Sequence, residues 1–320
     1  MAEKQTRVLI LLTLPPHVRE YYRSTLKTKF PEIEIDVVDH FSKAAPVIGP
    51  ADVLITFGPM MRDDVFAAAR NLKWVQALGT GVDGVTDQPS LPKGVAVTNI
   101  RGIHGAPVSE AAILGMLALS RNLPMSIHAQ DERAWKRPVP KLIDGKVAGI
   151  YGVGMIAEEL APRLKALGMT VIGFTSAIRQ LPGFDRMHLR SELLQYIGEV
   201  DHFILLAPYS EENRHVIDAR VFAAMKPTSY LINVARGGIV DEEAMMAALN
   251  SGKIAGAALD VFQTEPLPPD SPIWTTKNVI ATPHLGGFCD VYAERAMPTI
   301  VHNMACFLRG DMTAMINRVQ

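Results

Sequence analysis

The sequence has little of what marks secreted, metal-binding or nucleic-acid-binding proteins. Only two of its 320 residues are cysteines, Cys289 and Cys306, and they do not have the spacing of metal ligands. So few cysteines in a chain of this length indicate a reducing compartment without disulfides. The formal net charge is −1, and no run of Lys or Arg forms a basic patch. We therefore expect no metal and no nucleic-acid partner.

Long apolar runs are also missing. No stretch approaches the roughly 20 residues that cross a bilayer, which argues against a membrane protein. The apolar run at 8–14 ends at Pro15 and Pro16, and no small-residue cleavage site follows. Such a run is typical of the first strand of a sheet and not of a signal peptide. We expect a soluble, cytoplasmic protein.

What the chain does have is enough apolar material for two cores. Hydrophobic residues make up 48% of it, and 320 residues are enough for two domains. In the N-terminal part, strand-like and helix-like runs alternate, which predicts a parallel α/β sheet. The runs are 8–14, 18–29, 33–38, 53–57, 63–70, 74–78 and 95–99, and a long helical segment follows at 109–128.

A second series of strands and helices begins at 147. Its six strand-like runs give the count expected of a full dinucleotide-binding sheet. A last helix at 291–309 is expected to cross back to the N-terminal part. We predict a substrate-binding domain of residues 1–101 and 288–320, and a nucleotide-binding domain of residues 102–287. The six runs are 147–151, 170–174, 202–206, 229–234, 256–261 and 278–281.

The run GVGMIA at 152–157 is a candidate nucleotide site. Gly152 allows a tight turn after the first strand, and Gly154 lets the backbone approach a pyrophosphate. The helix that follows offers unpaired N–H groups and a partial positive charge at its N-terminus, where Met155 and Ile156 lie. The alternative is an ordinary glycine turn in another α/β protein, which the flanking strands and amphipathic helix make the weaker interpretation.

The residues after the second strand of this series indicate which dinucleotide binds. An NAD site places an acid there, because a carboxylate accepts from the ribose 2′-hydroxyl and repels a 2′-phosphate. This chain has Thr175, Ser176 and Arg179 instead. We therefore predict that NADP(H) is preferred over NAD(H). The alternative is that Arg179 is a solvated loop residue and that NAD binds less selectively.

Three ionisable residues each follow one of the last strands. Arg236, Glu265 and His284 come after the last three of the six runs. Ligands bind at the carboxyl ends of strands in open parallel sheets, so these side chains are expected to meet where a nicotinamide would end. Taken singly, each has a plainer interpretation, as a surface arginine, a turn acid or a solvated histidine. Their shared position at the carboxyl ends of three successive strands favours a functional role for all three.

The chemistry of these side chains suits the reduction of a 2-oxo acid. Imidazole titrates near neutral pH, so His284 is a candidate to supply a proton to the developing alkoxide. Glu265 would hydrogen-bond the other ring nitrogen and favour the imidazolium. Arg236 offers a bidentate fork to a carboxylate or carbonyl group, which Lys cannot copy.

Four motifs give the chain a resemblance to the D-isomer-specific 2-hydroxyacid dehydrogenase family over nearly its full length. They are GVGMIA at 152–157, INVARGGIVDEEA at 232–244, LDVFQTEPLP at 259–268 and TPHLGG at 282–287. The resemblance implies two doubly wound parallel-sheet domains, with a Rossmann nucleotide-binding domain inserted into a flavodoxin-like substrate-binding domain. It also implies a homodimer formed mainly through the nucleotide domain.

The resemblance carries roles over to individual positions. It implies that Arg236, Glu265 and His284 are the catalytic set, and that Arg236 and His284 also contact the substrate. In the pattern ALGTGVD, it implies a loop whose backbone N–H groups bind the substrate carboxylate: Leu78, Gly79, Thr80 and Gly81. The further cofactor-binding positions are Pro208, Val234, Asp260 and Gly286. Asn213 departs from the threonine of many members, near the adenosine side.

Within the family the resemblance is to glyoxylate and hydroxypyruvate reductases, in which a Trp from the partner subunit can close the pocket. Trp135 is the candidate, and its alternative role is that of an interface anchor.

We expect NADPH-dependent reduction of a small 2-oxo acid, of the glyoxylate or hydroxypyruvate type, to the D-2-hydroxy acid, with His284 as acid and base. One alternative is a non-enzymatic dinucleotide-sensing interaction protein on the same scaffold. Another is a phosphite- or formate-type dehydrogenase, although formate-type members have Gln in place of Glu265.

Overall fold

The computed structural model describes residues 5–320, apart from the side chain of Met60. The chain forms two compact units. One contains Met1–Ile103 and Cys289–Gln320, and the other is His104–Phe288. The chain therefore passes between units after residue 103 instead of the predicted 101, and after 288 instead of 287.

The first unit is built on five strands: β1 (Arg7–Leu11), β2 (Glu34–Val38), β3 (Val53–Thr56), β4 (Trp74–Ala77) and β5 (Ala96–Thr98). Its first helices are α1 (Pro16–Lys29), α2 (Ala45–Ile48) and α3 (Asp63–Ala67). The strands are parallel in the order β2-β1-β3-β4-β5, which is the flavodoxin-like order. Along β1, Val8 and Ile10 enter one core while Leu9 and Leu11 enter another. The sheet is therefore buried on both faces, as parallel sheets are.

The second unit contains α4 (Gly105–Ser120), α5 (Leu123–Asp131), β6 (Val147–Tyr151), α6 (Met155–Ala166), β7 (Thr170–Thr175), β8 (Arg186–Leu189) and α7 (Leu193–Tyr196). It continues with β9 (His202–Leu205), α8 (Ala219–Ala224), β10 (Tyr230–Asn233), α9 (Glu242–Asn250), β11 (Gly256–Leu259) and β12 (Val279–Ala281). All seven strands are parallel, in the order β12-β11-β10-β9-β6-β7-β8. The first six strands follow the Rossmann order, and β12 extends it. The predicted fold class is confirmed, and the strand order reverses between β6 and β9.

Two elements differ from those predicted. Six strands are predicted for this unit, and β8 is the seventh. Its sequence, RMHL, has no buried side chain and pairs only with β7 at the sheet edge, so no apolar run marks it. The single helix predicted at 109–128 is wrong, because Asn122 has a left-handed backbone with φ 55° and separates α4 from α5. Pro124 lies in the first turn of α5, where proline is tolerated because its missing N–H would have no partner within the helix.

The last helix, α10 (Tyr292–Leu308), belongs to the first unit and packs against α1. Ile300 of α10 and Leu26 of α1 are fully buried in one apolar cluster. Nδ2 of Asn303 donates to the buried Oε1 of Gln76 at 3.1 Å, which fixes α10 to β4. The chain thus leaves this unit for the second unit and returns to complete its core.

Some features are absent from residues 5–320. None of their helices has the length and apolar character needed to span a membrane. No group of three or more His, Cys, Asp and Glu side chains in this part of the chain is placed to hold a metal ion. Cys289 and Cys306 are free thiols. The cytoplasmic location expected from the sequence stays a prediction.

Candidate active site

His284 lies on a tight turn that follows β12. Its backbone is in the left-handed region, with φ 54°, a conformation uncommon for residues other than glycine, although asparagine, aspartate and histidine adopt it more often than the rest. The N–H of His284 donates to the carbonyl oxygens of Asp260 at 2.8 Å and Thr282 at 3.0 Å. These two bonds hold the strained backbone that carries the imidazole.

The carboxylate of Asp260 organises the same turn. Asp260 directly follows β11 and is 5% exposed. Its Oδ1 accepts from the Thr282 hydroxyl at 2.5 Å and the Leu285 N–H at 2.8 Å, and its Oδ2 accepts from the Gly286 N–H at 2.6 Å. A Cβ on Gly286 would lie only 2.8 Å from Oδ2, so the close approach depends on glycine. Asp260 and Gly286, both predicted to bind cofactor, thus hold the turn that carries His284.

Glu265 binds the ring of His284 directly. Nδ1 of His284 lies 2.7 Å from Oε2 of Glu265, while Oε1 accepts from the Phe262 N–H at 3.0 Å. The two side chains are 22% and 24% exposed, so the pair is largely shielded from water. Because an ionised carboxylate only accepts hydrogen bonds, Nδ1 carries the proton in this contact. Nε2 is then the ring nitrogen that can exchange a proton.

The surroundings keep Glu265 ionised. Burial raises the pKa of its carboxyl group, but the hydrogen bond and charge of His284 lower it. The N–H of Phe262 and the charge of Arg236 lower it further, and the net pKa lies below the ordinary value of 4.5. A negative charge therefore stays beside the imidazole throughout the neutral pH range.

Arg236 reaches the same place on the loop that follows β10. Nδ2 of Asn233, which is 1% exposed, donates to the carbonyl oxygen of Arg236 at 3.1 Å and shapes this loop. A Cβ on Gly237 would collide with the backbone of Phe262, so the loops that carry Arg236 and Glu265 are in close contact. The second unit therefore brings together the three side chains predicted to be catalytic.

Two residues at this site, His104 and Asn233, were missed by sequence reasoning. His104 directly precedes α4 and is 7% exposed. Burial and the charge of Arg236 lower its pKa to about 4, so its ring is neutral at neutral pH. A Cβ on Gly287 would lie 3.3 Å from Cδ2 of His104, which places this ring close to the turn of His284. No spacing marks His104, whereas Asn233 is recognisable as a polar residue that ends an apolar strand.

The glycine turn after β6 has the geometry of a phosphate cradle. Gly152 has φ 99°, and a Cβ there would collide with the backbone of Ala207. Gly154 is exposed, and a Cβ there would meet no described heavy atom within 4 Å beyond its chain neighbours. This open space lies at the N-terminus of α6, where Met155 and Ile156 begin the helix. The site thus fits a pyrophosphate bound by backbone N–H groups and the helix dipole.

The end of β7 carries no carboxylate. Thr175 is 4% exposed, and its hydroxyl bonds to the backbone of its own loop, while Ser176 is exposed. Nη2 of Arg179 donates to the carbonyl oxygen of Val153 at 3.0 Å and lies 3.4 Å from Oε1 of Glu158. Arg179 therefore ties the loop after β7 to the glycine turn and to the first turn of α6.

The other predicted cofactor positions lie beside the point where the strand order reverses. Pro208 is exposed in the loop after β9, and its carbonyl oxygen accepts from Nδ2 of Asn213 at 3.0 Å. Asn213 is 6% exposed, and its Oδ1 accepts from the hydroxyl of Tyr151 at 3.4 Å, so it links this loop to β6. Val234 is half-buried directly after β10.

The predicted substrate loop belongs to the first unit, where it follows β4. Three consecutive carbonyl oxygens in this loop accept hydrogen bonds. The pairs are Leu78 with the Tyr292 hydroxyl at 2.7 Å, Gly79 with the Ile100 N–H at 3.0 Å and Thr80 with Nδ2 of Asn99 at 2.5 Å. The N–H and C=O of a trans peptide point in opposite directions, so the N–H groups of Gly79, Thr80 and Gly81 point away from these donors.

Known proteins with similar sequences and structures place the chain among oxidoreductases. Residues 113–286 match the family model described as D-isomer specific 2-hydroxyacid dehydrogenase, NAD binding domain. The D-3-phosphoglycerate dehydrogenase of Methanocaldococcus jannaschii is 32% identical over 311 residues, which cover 95% of this chain and 58% of that protein. The chain thus spans less than two thirds of the length of that relative.

Two further similar proteins are named as reductases. The glyoxylate reductase of Korarchaeum cryptofilum is 32% identical over 258 residues, which cover 78% of this chain and 77% of that protein. A solved structure of an NADPH-dependent glyoxylate/hydroxypyruvate reductase from Sinorhizobium meliloti, in complex with NADP and sulfate, is 26% identical. It superimposes with a TM-score of 0.81 and covers 98% of each chain.

The two parallel sheets and the glycine turn are those of a dinucleotide-binding fold. The chain belongs to the D-isomer specific 2-hydroxyacid dehydrogenase family, which confirms the resemblance seen in its motifs. Its glyoxylate and hydroxypyruvate reductase relatives support a 2-oxoacid reductase. The roles of individual residues stay predictions.

Proposed function

We propose that this protein uses NADPH to reduce a small 2-oxo acid, of the glyoxylate or hydroxypyruvate type, to the D-2-hydroxy acid. The observation that carries the proposal is the 2.7 Å contact between Nδ1 of His284 and Oε2 of Glu265. Arg236 lies close enough for its charge to lower the pKa of Glu265. A proton donor, its orienting carboxylate and a cation for an anionic substrate are thus present together.

His284 is the proposed acid and base. The dinucleotide, when bound, supplies the hydride. As negative charge develops on the carbonyl oxygen of the substrate, Nε2 of His284 gives that oxygen a proton. Glu265 holds the ring in one tautomer and stabilises the imidazolium form that precedes the transfer. In the opposite direction, Nε2 takes the proton from the hydroxyl group.

Arg236 and the loop after β4 are proposed to bind the substrate. The planar guanidinium of Arg236 can form two parallel hydrogen bonds with a carboxylate. The N–H groups of Gly79, Thr80 and Gly81 are proposed to add donors without adding side-chain bulk. Recognition by the guanidinium of Arg236 and by backbone N–H groups selects a small, planar anion.

The proposal that the substrate is small rests on the names of similar proteins and on Trp135. The similar proteins from Korarchaeum cryptofilum and Sinorhizobium meliloti are named for glyoxylate, and the second also for hydroxypyruvate. Trp135 is 92% exposed in one protomer. It is proposed to close the pocket of a second protomer, which would limit the length of the acid.

NADPH is proposed over NADH because the end of β7 lacks an acid. Thr175 and Ser176 stand where a carboxylate would repel a 2′-phosphate, and Arg179 follows in the same loop. The similar enzyme from Sinorhizobium meliloti was solved with NADP. The family model is described as NAD binding, so NADH is the competitor to measure.

A homodimer through the second unit is also proposed. Large apolar side chains are exposed on α4, on α5 and on the segment that follows α5. They are Leu114, Leu123, Met125, Ile127, Trp135, Val139 and Leu142, with exposed fractions from 43% to 92%. Exposed apolar side chains at this density indicate a contact surface. A second copy of the chain is the partner that the family resemblance implies.

A panel of initial rates tests the proposal. The oxidation of NADPH and of NADH is followed with glyoxylate, hydroxypyruvate and longer 2-oxo acids. We expect glyoxylate or hydroxypyruvate with NADPH to give the highest kcat/KM. The oxidation of 3-phosphoglycerate, formate and phosphite is measured alongside, and preference for one of these would replace the proposed substrate. Dinucleotide binding without any turnover would favour the dinucleotide-sensing alternative.

A further inference from the structure

Arg190 stands at the carboxyl edge of the nucleotide-binding sheet, although nothing in the sequence singles it out. It directly follows β8, in which Leu189 pairs with Thr175 of β7. Its Cζ lies 5.2 Å from the centre of the ring of Tyr151, the last residue of β6. Because β7 lies between β8 and β6, and Tyr151 pairs with Phe174, the side chain of Arg190 extends past the last residues of β7, at its carboxyl end. This end is where a ribose-binding acid stands in NAD sites.

Of the two arginines near this edge, Arg179 is paired with a carboxylate and, among the described residues, Arg190 is not. Arg179 is paired with Glu158 at 3.4 Å and donates to the carbonyl oxygen of Val153 at 3.0 Å. Its charge is therefore partly cancelled before any ligand arrives. No carboxylate among residues 5–320 pairs with Arg190, and its buried Nε has no hydrogen-bond acceptor there. A charged group whose buried donor lacks an acceptor costs free energy, and an anion that binds the guanidinium would offset part of this cost through its charge.

Building on the proposed preference for NADPH, we propose that Arg190, and not Arg179, is the cation that binds the adenosine 2′-phosphate. Arg190 supplies a positive charge near the end of β7 that no carboxylate of the described residues compensates, and its guanidinium can hold phosphate oxygens in a bidentate manner. Arg179 is a positioning residue that holds the glycine turn through Val153. Selectivity for NADP(H) thus comes from the end of β8 as well as from the end of β7.

This division of roles separates the expected effects of the two arginines. Loss of Arg190 removes a bond that only a 2′-phosphate makes, so it weakens ligands that carry this group. Loss of Arg179 loosens the glycine turn, which contacts the pyrophosphate of both dinucleotides, so it weakens both kinds of ligand alike. One charge-assisted hydrogen bond corresponds to a loss of roughly 10- to 100-fold in affinity.

The test measures binding of two small probes by titration calorimetry. Adenosine 2′,5′-bisphosphate carries the 2′-phosphate, and adenosine 5′-monophosphate lacks it. The variants are Arg190→Gln, Arg179→Gln and Arg186→Gln. Arg186 is the matched control, because it lies at the other end of β8 and pairs with Glu199 at 2.6 Å. Circular dichroism and the melting temperature establish that each variant folds.

We expect Arg190→Gln to weaken the bisphosphate roughly 10- to 100-fold and to change binding of the monophosphate less than about threefold. Arg179→Gln should weaken both probes by similar factors, and Arg186→Gln should change neither. If Arg190→Gln does not fold, Arg190→Lys takes its place, and a selective loss of about 3- to 10-fold is expected because the fork is lost while the charge remains.

Three results would overturn the assignment of Arg190. One is a bisphosphate affinity that Arg190→Gln leaves unchanged while Arg179→Gln lowers it selectively. Another is an equal loss for both probes in Arg190→Gln, which would show contact with the adenine or a structural role. The third is wild-type protein that binds the two probes equally, which would also remove the proposed NADPH preference. Because binding is measured without a 2-oxo acid, a wrong substrate proposal would leave these results unaffected.

Discussion

The imidazole of His284 and the carboxylate of Glu265 meet at 2.7 Å although they lie on loops after different strands. The two strands, β11 and β12, are neighbours in a parallel sheet, so their carboxyl ends lie at the same edge. Glu265 is held by the N–H of Phe262, and His284 is held by the turn around Asp260. Both partners are thus positioned by the backbone before any substrate binds.

Replacement of Glu265 by Gln should slow turnover while leaving the dinucleotide bound. The amide can still accept a hydrogen bond, but the negative charge that stabilises the imidazolium of His284 is lost. We expect kcat for 2-oxo acid reduction to fall by roughly 10- to 100-fold, which is at or below the lower end of general acid–base contributions because Glu265 acts on the proton only through His284. Steady-state rates and the Kd for NADPH are the measurements. The control is Glu243→Gln on the exposed side of α9, and an unchanged kcat in Glu265→Gln would contradict the role of the carboxylate.

Replacement of Asp260 by Asn should destabilise the turn that carries His284. All three groups that bind the carboxylate, the Thr282 hydroxyl and two backbone N–H groups, are donors in this contact, so an amide NH2 would face a donor. We expect a loss of about 1–3 kcal/mol in the free energy of unfolding, measured in urea, together with reduced kcat. Thr282→Val removes one of the bonds and should cost about 0.5–1.5 kcal/mol. Wild-type stability in Asp260→Asn would show that the turn does not depend on this carboxylate.

The stability of the protein should fall as the pH falls from 6.5 towards 4, and buried His202 is one cause. Burial lowers the pKa of His202 from 6.5 to about 4, with Lys141 and Lys146 adding to this and Asp201 opposing it. Between these two pH values, the unfolded chain binds a proton that the folded chain does not, so acid favours unfolding. His202→Gln should make the free energy of unfolding less dependent on pH in this window, by up to roughly 3 kcal/mol.

Urea unfolding at several pH values measures this effect, and exposed His17→Gln serves as the control. His104, whose pKa is also lowered to about 4, adds a similar component that remains in His202→Gln. Equal pH dependence in the wild type and in His202→Gln would show that His202 is protonated or solvated in the folded state.

Charged substitutions on the exposed apolar side chains of α4 and α5 should produce monomers. Leu114 is 61% exposed and Ile127 is 51% exposed, so neither substitution opens a core. We expect Leu114→Glu and Ile127→Glu to shift the mass found by light scattering from about twice 35.0 kDa to 35.0 kDa. Leu194→Glu, at a position 48% exposed elsewhere in the same unit, should leave the mass unchanged. A wild-type protein that is already monomeric would refute the proposed dimer.

Much of the fold could be predicted because its central strands are apolar runs with few alternatives. The meeting of Arg236, Glu265 and His284 was also predictable, because each follows one strand and β10, β11 and β12 are neighbours in a parallel sheet. A residue that directly follows a strand of a parallel sheet lies at the carboxyl edge of that sheet, so its place in the sequence predicts the edge at which its side chain lies. It does not give the hydrogen bonds of that side chain, which depend on the shape of each loop.

The features that escaped prediction depend on polar residues and on loop geometry. β8 has no buried side chain, so hydrophobic periodicity cannot show it, and without β8 there was no reason to place Arg190 beside the cofactor site. The cofactor role of Asp260 was predicted from the family resemblance, but its bonds to the turn of His284 were not, because two of its partners are backbone N–H groups that only the folded turn presents. His104 lies far from the site in sequence and reaches it only because α4 begins there.

Protonation of a 2-oxo acid by His284 in a D-specific site is tested most directly by the product formed from hydroxypyruvate and NADPH. Chiral chromatography measures its configuration for the wild type and for His284→Asn, a substitution that tolerates the φ of 54° at this position. We predict D-glycerate from the wild type, and at least a roughly 100-fold lower rate from His284→Asn with NADPH still bound. L-glycerate, or the same rate of D-glycerate formation in both proteins, would contradict the assignment.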